Sequence, residues 1–127
     1  MPDILIVEDN PVNQKLIAFL LARSQYTYDI AENGAVALDR LGKADYRLVL
    51  MDMMMPIMNG YDATKAMRAD PRLKDIPVIA LTANAMKGED EKCRQVGCND
   101  YVAKPYSKDQ ILAAIGRLIG TPAAISA

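Results

Sequence analysis

Five polar residues of this sequence stand directly after short apolar runs, each about the length of a β-strand. They are Glu8 and Asp9 after run 4–7, Asp52 after run 48–51, Thr82 after run 78–81 and Lys104 after run 101–103. If these runs are parallel strands, their carboxyl ends share one edge of the sheet, where ligands bind. The spacing therefore predicts an acidic pocket with a single lysine opposite, suited to a hard cation and a phosphoryl group.

The crowding of three carboxylates indicates the chemistry of this pocket. Like-charge repulsion makes such a cluster costly unless a cation lies between the groups. Mg²⁺ suits the site, since it takes a few oxygen ligands, keeps several waters and completes its shell with phosphate oxygens. With its repulsion offset, Asp52 is a candidate nucleophile toward phosphorus, and Lys104 and Thr82 are candidates for contacting phosphoryl oxygens.

Strands and helices that could position these residues alternate along the chain. The predicted strands are 4–7, 26–31, 48–51, 78–81 and 101–103, and a helical pattern follows each of them. This alternation predicts a doubly wound α/β domain, a five-stranded parallel sheet with helices on both faces. Asp9 and Asp52 meet only if the first and third strands are neighbours, which favours the flavodoxin-like order 2-1-3-4-5.

Capping signals predict the limits of the five helices. The predicted starts are Asn10-Pro11, Asn33, Asn59-Gly60, Ala85 and Ser107. The predicted ends are Ser24, Gly42, Asp70-Pro71, Val96 with Gly97 as its cap, and residue 119. The fourth helix has little apolar face, which makes it easy to shift.

Composition excludes several classes of function. The 127 residues fit one domain, and the net charge of -1 offers no surface for nucleic acid or an anionic membrane. No apolar run approaches a membrane span of about 20 residues, and we expect a cytoplasmic protein. The chain has no histidine, which removes His-based catalysis and metal sites and leaves only a carboxylate for a phosphorelay. Cys93 and Cys98 are too few for a zinc site and are expected to be reduced, partly buried thiols.

The chain resembles the receiver domains of two-component response regulators over roughly residues 3 to 119. Four segments carry the resemblance: Ile-Leu-Ile-Val-Glu8-Asp9-Asn, Leu-Val-Leu-Met-Asp52-Met-Met-Met-Pro-Ile-Met-Asn-Gly60, Ala-Leu-Thr82-Ala83-Asn and Tyr101-Val-Ala-Lys104-Pro105. Each is weak alone, but in this order and spacing they are highly specific. We therefore expect a receiver domain at 1–120 followed by a short tail at 121–127.

The resemblance implies a metal role for four positions. Asp52 would be the phosphoacceptor and, with Asp9, would bind Mg²⁺ directly, while Glu8 would act nearby or through water. The backbone carbonyl of Met54 would be a third protein ligand. Related enzymes that use an aspartate nucleophile on phosphate esters place a second aspartate at the position of Met54, so methionine there argues against that alternative.

It also implies roles around the phosphoryl group. Thr82, Lys104 and the backbone N–H of Ala83 would contact it. Tyr101 would be an aromatic switch that turns inward when Thr82 is drawn toward phosphate. The Lys104-Pro105 peptide would be cis, which is cheap only before proline.

The function so implied is a phosphorylation-activated switch. A histidine kinase or histidine phosphotransfer protein would donate the phosphoryl group, and the surface of the fourth helix, fifth strand and fifth helix would change its downstream protein partner. A phosphorylation-dependent homodimer is left open, as are the pathway and the lifetime of the phosphorylated state. Because the chain would accept phosphoryl and then hydrolyse its own acyl phosphate, the label of enzyme is left open too.

Three alternatives remain beside this prediction. Because no output domain follows residue 119, we expect a stand-alone receiver of the chemotaxis or cell-cycle type. The stretch Asn10-Pro11-Val12-Asn13-Gln14 also resembles receivers of hybrid histidine kinases, so an excised receiver is an alternative. An aspartate-nucleophile phosphatase and a flavin-binding electron carrier are alternatives from other classes, and a colourless protein would dispose of the latter.

Overall fold

The computed structural model describes residues 3–22, 24–53, 58–82, 89–103 and 107–120. The strands are β1 (Ile4–Val7), β2 (Tyr28–Ala31), β3 (Leu48–Asp52), β4 (Val78–Thr82) and β5 (Asp100–Ala103). The helices are α1 (Pro11–Leu21), α2 (Gly34–Lys43), α3 (Gly60–Ala69), α4 (Glu89–Val96) and α5 (Lys108–Ile119). Each helix within these residues is too short or too polar to span a membrane, and the cytoplasmic location stays a prediction.

All five strands are parallel, in the order β2-β1-β3-β4-β5. This confirms the predicted doubly wound sheet. β1, β3 and β4 are buried along their whole length, as expected for continuously apolar strands covered on both faces. The edge strand β2 is mostly half-buried, in agreement with its more polar sequence.

Alternate residues of each strand lie on opposite faces of the sheet and pack into two separate hydrophobic cores. On one face, strand residues such as Ile6, Leu50 and Leu81 pack with side chains of α1 and α5, including Ile17 and Ile111. The opposite face joins the intervening strand residues to α2, α3 and α4 through Leu41, Met67 and Cys93, among others. Burial at about 25 cal/mol per Å² of apolar surface makes these cores the main source of stability.

Two helix ends differ from the sequence prediction. α1 ends at Leu21 rather than near Ser24, whose hydroxyl donates to the carbonyl of Leu21 at 2.7 Å and closes the turn. α2 continues through Gly42 to Lys43, so Gly42 is not its stop. Glycine ends a helix where the chain needs a positive φ, whereas here buried Leu41 anchors the last turn and outweighs the weak helix propensity of glycine.

The other predicted helix caps within the described residues agree with the structure. Asn10, Asn33 and Asn59 cap α1, α2 and α3 through their side chains, and Ser107 forms the predicted capping box of α5. Two predicted strand starts were wrong, since β2 begins at Tyr28 rather than 26 and β5 at Asp100 rather than 101. Residues 85–88 of the predicted fourth helix lie outside the described residues, and its described part starts at Glu89.

The two cysteines form the apolar contact of the turn that ends α4. Gly97 has a φ of +105°, its N–H bonds the carbonyl of Arg94, and the N–H of Cys98 bonds the carbonyl of Cys93, each at 3.0 Å. This is the Schellman pattern, in which the outer pair of residues pack together. Both thiols are buried, and burial raises the pKa of Cys98 to about 12. The predicted Gly97 cap is confirmed, and the two thiols are more deeply buried than the predicted partial burial.

Candidate functional site

The register of the sheet brings the acidic segments together. Val7 of β1 lies beside Met51 of β3, so the next residue of each strand, Glu8 and Asp52, emerges at the same edge. One carboxylate oxygen from each of Glu8, Asp9 and Asp52 lies within 4.8 Å of the other two. Asp9 and Asp52, which are 43 positions apart in the sequence, thus converge at the carboxyl edge of the sheet, at the switch point between β1 and β3.

Burial makes this cluster unusual. Glu8 is 0% exposed and Asp52 is 4% exposed, while Asp9 is at least partly exposed. Removing a carboxylate from water costs several kcal/mol unless charge or hydrogen bonds compensate. Three converging carboxylates, two of them buried, are a donor set of hard oxygens of the kind that Mg²⁺ uses.

Thr82 ends the neighbouring strand at the same edge. Asp52 lies beside Leu81 of β4, so Thr82 stands one residue further toward the carboxyl edge, where it is 1% exposed. Thr82 in turn lies beside Ala103 of β5. The sheet therefore presents a buried hydroxyl next to the acidic cluster, and the residue that follows Ala103 is Lys104.

Three predicted site residues lie outside the described residues. They are Met54, Ala83 and Lys104. The Lys104-Pro105 peptide, predicted to be cis, also lies there. Their predicted roles stay predictions from the resemblance.

Tyr101 lies on β5, half-buried, beside Ala80 of β4. It borders a groove of about 540 Å³ between β5 and α5 and a small cavity of about 110 Å³ at the end of α4. The ion pair from Arg117 to Asp100, at 2.8 Å, ties α5 to the start of β5 beside this groove. Tyr101 therefore lies between α4 and α5, where a change in the conformation of its side chain would alter the surface of the protein.

The first turn of α1 holds Glu8, a feature that the sequence analysis missed. The side chain of Gln14 donates to the backbone carbonyl of Glu8 at 2.7 Å. The backbone N–H of Asn10 and the side-chain amide of Asn13 donate to Oε1 of Glu8 at 3.2 and 3.4 Å. The available signal was a run of amide side chains directly after the acidic pair, of which only Asn10 was assigned a role, as a cap.

α1 also carries an exposed apolar face that the periodicity did not assign. Val12, Leu16 and Phe19 are 72%, 45% and 77% exposed. Among the described residues, these are the large hydrophobic side chains that are exposed. They are spaced like residues of one helix face, and α1 begins only two residues after Asp9. The face therefore starts next to the acidic cluster.

Comparison with known proteins supplies the family context. The response regulator receiver domain model matches residues 4–116. The polar-differentiation response regulator DivK of Brucella anthropi is 41% identical over 117 residues, which cover 92% of this chain and 95% of that protein. DivK of Brucella ovis is 40% identical over 117 residues, with the same coverage.

Solved structures with this fold include two whose bound groups are informative. The receiver domain of the sensor histidine kinase PA1611 from Pseudomonas aeruginosa PAO1, with a magnesium ion in its active site cleft, has a TM-score of 0.86 and 40% identity, covering 94% of this chain and 98% of that chain. The Saccharomyces cerevisiae receiver domain of Ssk1, in complex with the histidine phosphotransfer protein Ypd1, has a TM-score of 0.83 and 27% identity, covering 93% of this chain and 88% of that chain.

Proposed function

Because the chain belongs to the response regulator receiver domain family, we propose that it is a signalling switch that accepts a phosphoryl group on Asp52 with the help of Mg²⁺. The observation that carries this proposal is the convergence of Glu8, Asp9 and Asp52 within 4.8 Å at the carboxyl edge of the sheet. We assign the receiver domain to residues 1–120 and the tail to 121–127.

The donor set fits Mg²⁺. Asp9 and Asp52 would hold the ion directly, with Glu8 close by and the backbone carbonyl of Met54 as a further ligand. Hard carboxylate oxygens with solvent access on the side of Asp9 match a metal that keeps several waters. The receiver domain of PA1611, 40% identical, holds magnesium in its cleft, which supports the assignment. When bound, the ion offsets the negative charge of Asp52 and of the incoming phosphoryl group.

Transfer to Asp52 asks mainly for positioning and charge stabilisation. A carboxylate oxygen of Asp52 attacks phosphorus, a P–O bond forms, and the P–N bond to the partner's histidine breaks with its electron pair returning to the ring nitrogen. Thr82, Lys104 and the N–H of Ala83 are the proposed contacts of the phosphoryl oxygens. Buried Thr82 then shifts toward the new group, and Tyr101 follows it.

The proposed phosphodonor is a histidine kinase or histidine phosphotransfer protein. In the yeast complex, a receiver domain of the same family binds such a phosphotransfer protein. We propose that the partner lies on the exposed face of Val12, Leu16 and Phe19, because its phosphohistidine must reach Asp52 and α1 begins beside the acidic cluster. Phe19→Ser is expected to slow phosphoryl transfer from a phosphorylated partner at least ten-fold, since exposed aromatic anchors carry much of the binding energy at interfaces.

The control for this surface uses a donor that needs no protein contact. Phe19→Ser should accept phosphoryl from a small acyl phosphate at the wild-type rate, since Phe19 is largely exposed and outside the pocket. A variant that takes phosphoryl from the protein partner as fast as wild type would contradict the assignment of this surface.

The proposed output surface is the groove between β5 and α5 together with α4. Tyr101 borders it, so its movement would change which downstream protein binds. The 40% sequence identity to the receiver domain of a sensor histidine kinase supports a second candidate for this chain, the receiver of a hybrid kinase. The chemistry of the site would be the same. Family membership leaves the phosphatase and flavin-carrier alternatives without support.

Intact mass tests the proposal directly. The protein is incubated with Mg²⁺ and acetyl phosphate, beside Asp52→Asn and a control, Asp39→Asn, whose carboxylate is exposed on α2. We expect wild type and Asp39→Asn to gain one phosphoryl group, and the gain to vanish in EDTA or in Asp52→Asn. Modification that persists in Asp52→Asn, or no gain at any Mg²⁺ concentration, would refute Asp52 as the acceptor.

A further inference from the structure

The polar groups of Asn10, Asn13 and Gln14 have no role in the mechanism above, although they surround a member of the acidic cluster. Each of these three residues donates a hydrogen bond to Glu8. Gln14 fixes the backbone carbonyl at 2.7 Å, while the N–H of Asn10 and the amide of Asn13 reach Oε1 at 3.2 and 3.4 Å. Glu8 is therefore held at both its backbone and its carboxylate by one turn of α1.

Glu8 needs such support more than its neighbours do. It is completely buried, and a buried carboxylate is tolerated only with hydrogen bonds or a counter-charge. Glutamate also has one more rotatable bond than aspartate, so more conformations must be excluded before it can serve at a metal site. The N-terminus of α1, which begins at Pro11, adds a favourable dipole for the negative charge.

We propose that Gln14 and Asn13 are positioning residues that hold Glu8 in place for Mg²⁺ binding. Gln14 fixes where the Glu8 side chain leaves the backbone, and Asn13 orients its carboxylate. Gln14 carries the larger share, because its 2.7 Å bond is short and the 3.4 Å bond of Asn13 is long. The inference rests on the proposed function, since it assumes that the acidic cluster binds the metal.

A merely structural role would make a different prediction. If Gln14 only stabilised the first turn of α1, its loss would lower the free energy of unfolding in EDTA and leave the Mg²⁺ dissociation constant unchanged. Residues that orient metal ligands instead change metal affinity by 10–100-fold when replaced. The two roles therefore separate when stability and metal affinity are measured on the same variants.

The test uses Gln14→Met, which keeps length and helix propensity and removes the donor. Its matched control is Lys15→Arg, which keeps the charge of an exposed residue on the same turn. Mg²⁺ affinity is measured by calorimetric titration, with unfolding in EDTA alongside. We expect Gln14→Met to bind Mg²⁺ at least ten-fold more weakly than wild type, Asn13→Leu to show a smaller loss, and Lys15→Arg to stay within two-fold.

Gln14→Glu provides an independent test, which stays decisive if the Gln14→Met protein fails to fold. It keeps the shape of glutamine and suits the first turn of a helix, but it loses the donor and adds a negative charge. Long-range electrostatics alone would then strengthen Mg²⁺ binding, whereas loss of positioning weakens it. Affinity equal to or above that of wild type in Gln14→Glu would overturn the inference.

The failure of this inference is distinguishable from the failure of the proposed function. A wild-type protein that does not bind Mg²⁺ contradicts the metal site itself. Wild-type binding together with unchanged affinity in both Gln14 variants contradicts only the positioning role.

Discussion

The two edges of the same sheet handle buried charge in opposite ways. At the amino edge, Asp3 is 1% exposed and lies 3.0 Å from the guanidinium of Arg47, and its other oxygen accepts from Thr27. At the carboxyl edge, three carboxylates converge within 4.8 Å of one another. Opposite charges meet where the strands begin, and like charges meet where they end.

Arg68 links several elements at the amino edge through hydrogen bonds. Its guanidinium donates to the carbonyls of Gly97, Lys74 and Ile76 and to the side chain of Asn99, at 2.8–3.0 Å. Burial of the Arg68 guanidinium lowers its pKa. One side chain thus joins α3, the segment before β4 and the turn before β5.

The difference indicates which edge serves stability and which serves function. Satisfied polar groups at the amino edge add to the stability of the fold. The crowded carboxylates lower the stability of the fold and are tolerated where a bound ligand offsets their mutual repulsion. Substitutions at the two edges should therefore change different measurements.

The largest loss of stability is expected for Arg68→Met. Removing the guanidinium leaves several part-buried acceptors without their donor, so we expect the free energy of unfolding to fall by about 2–4 kcal/mol. Urea unfolding measures it, with Lys65→Met as control on an exposed site of the same helix, where a change within about 0.5 kcal/mol is expected. Equal losses of unfolding free energy in both variants would contradict the role of the Arg68 hydrogen bonds in stabilising this edge.

Sequence reasoning predicted the sheet order because the chemistry demanded it. Asp9 and Asp52 can meet only across neighbouring strands, and the fully apolar runs indicated strands covered on both faces. The same order belongs to the family that the chain resembles, so the two arguments are not independent. The convergence of the acidic residues followed from their positions at strand ends.

The remaining features depend on tertiary contacts that periodicity does not carry. Val12, Leu16 and Phe19 have helical spacing, but whether such a face is buried or exposed depends on how α1 docks, and the buried side chains are Ile17, Leu20 and Leu21 instead. Gly42 looks like a helix stop until Leu41 is seen in the core. The hydrogen bond from Gln14 to Glu8 joins a side chain to a backbone carbonyl, and sequence periodicity does not predict such a contact.

The effect of Mg²⁺ on stability tests the division between the edges most directly. Unfolding is measured for wild type, Asp52→Asn and Asp3→Asn, in EDTA and in excess Mg²⁺. We expect wild type to gain about 2.7 kcal/mol when Mg²⁺ is at 100 times its dissociation constant. Asp52→Asn should be at least as stable as wild type in EDTA and gain little from the metal. Asp3→Asn should lose about 2 kcal/mol in EDTA, the order of a hydrogen bond to a charged group, and keep the full gain. A Mg²⁺ gain that survives in Asp52→Asn, or disappears in Asp3→Asn, would contradict the account.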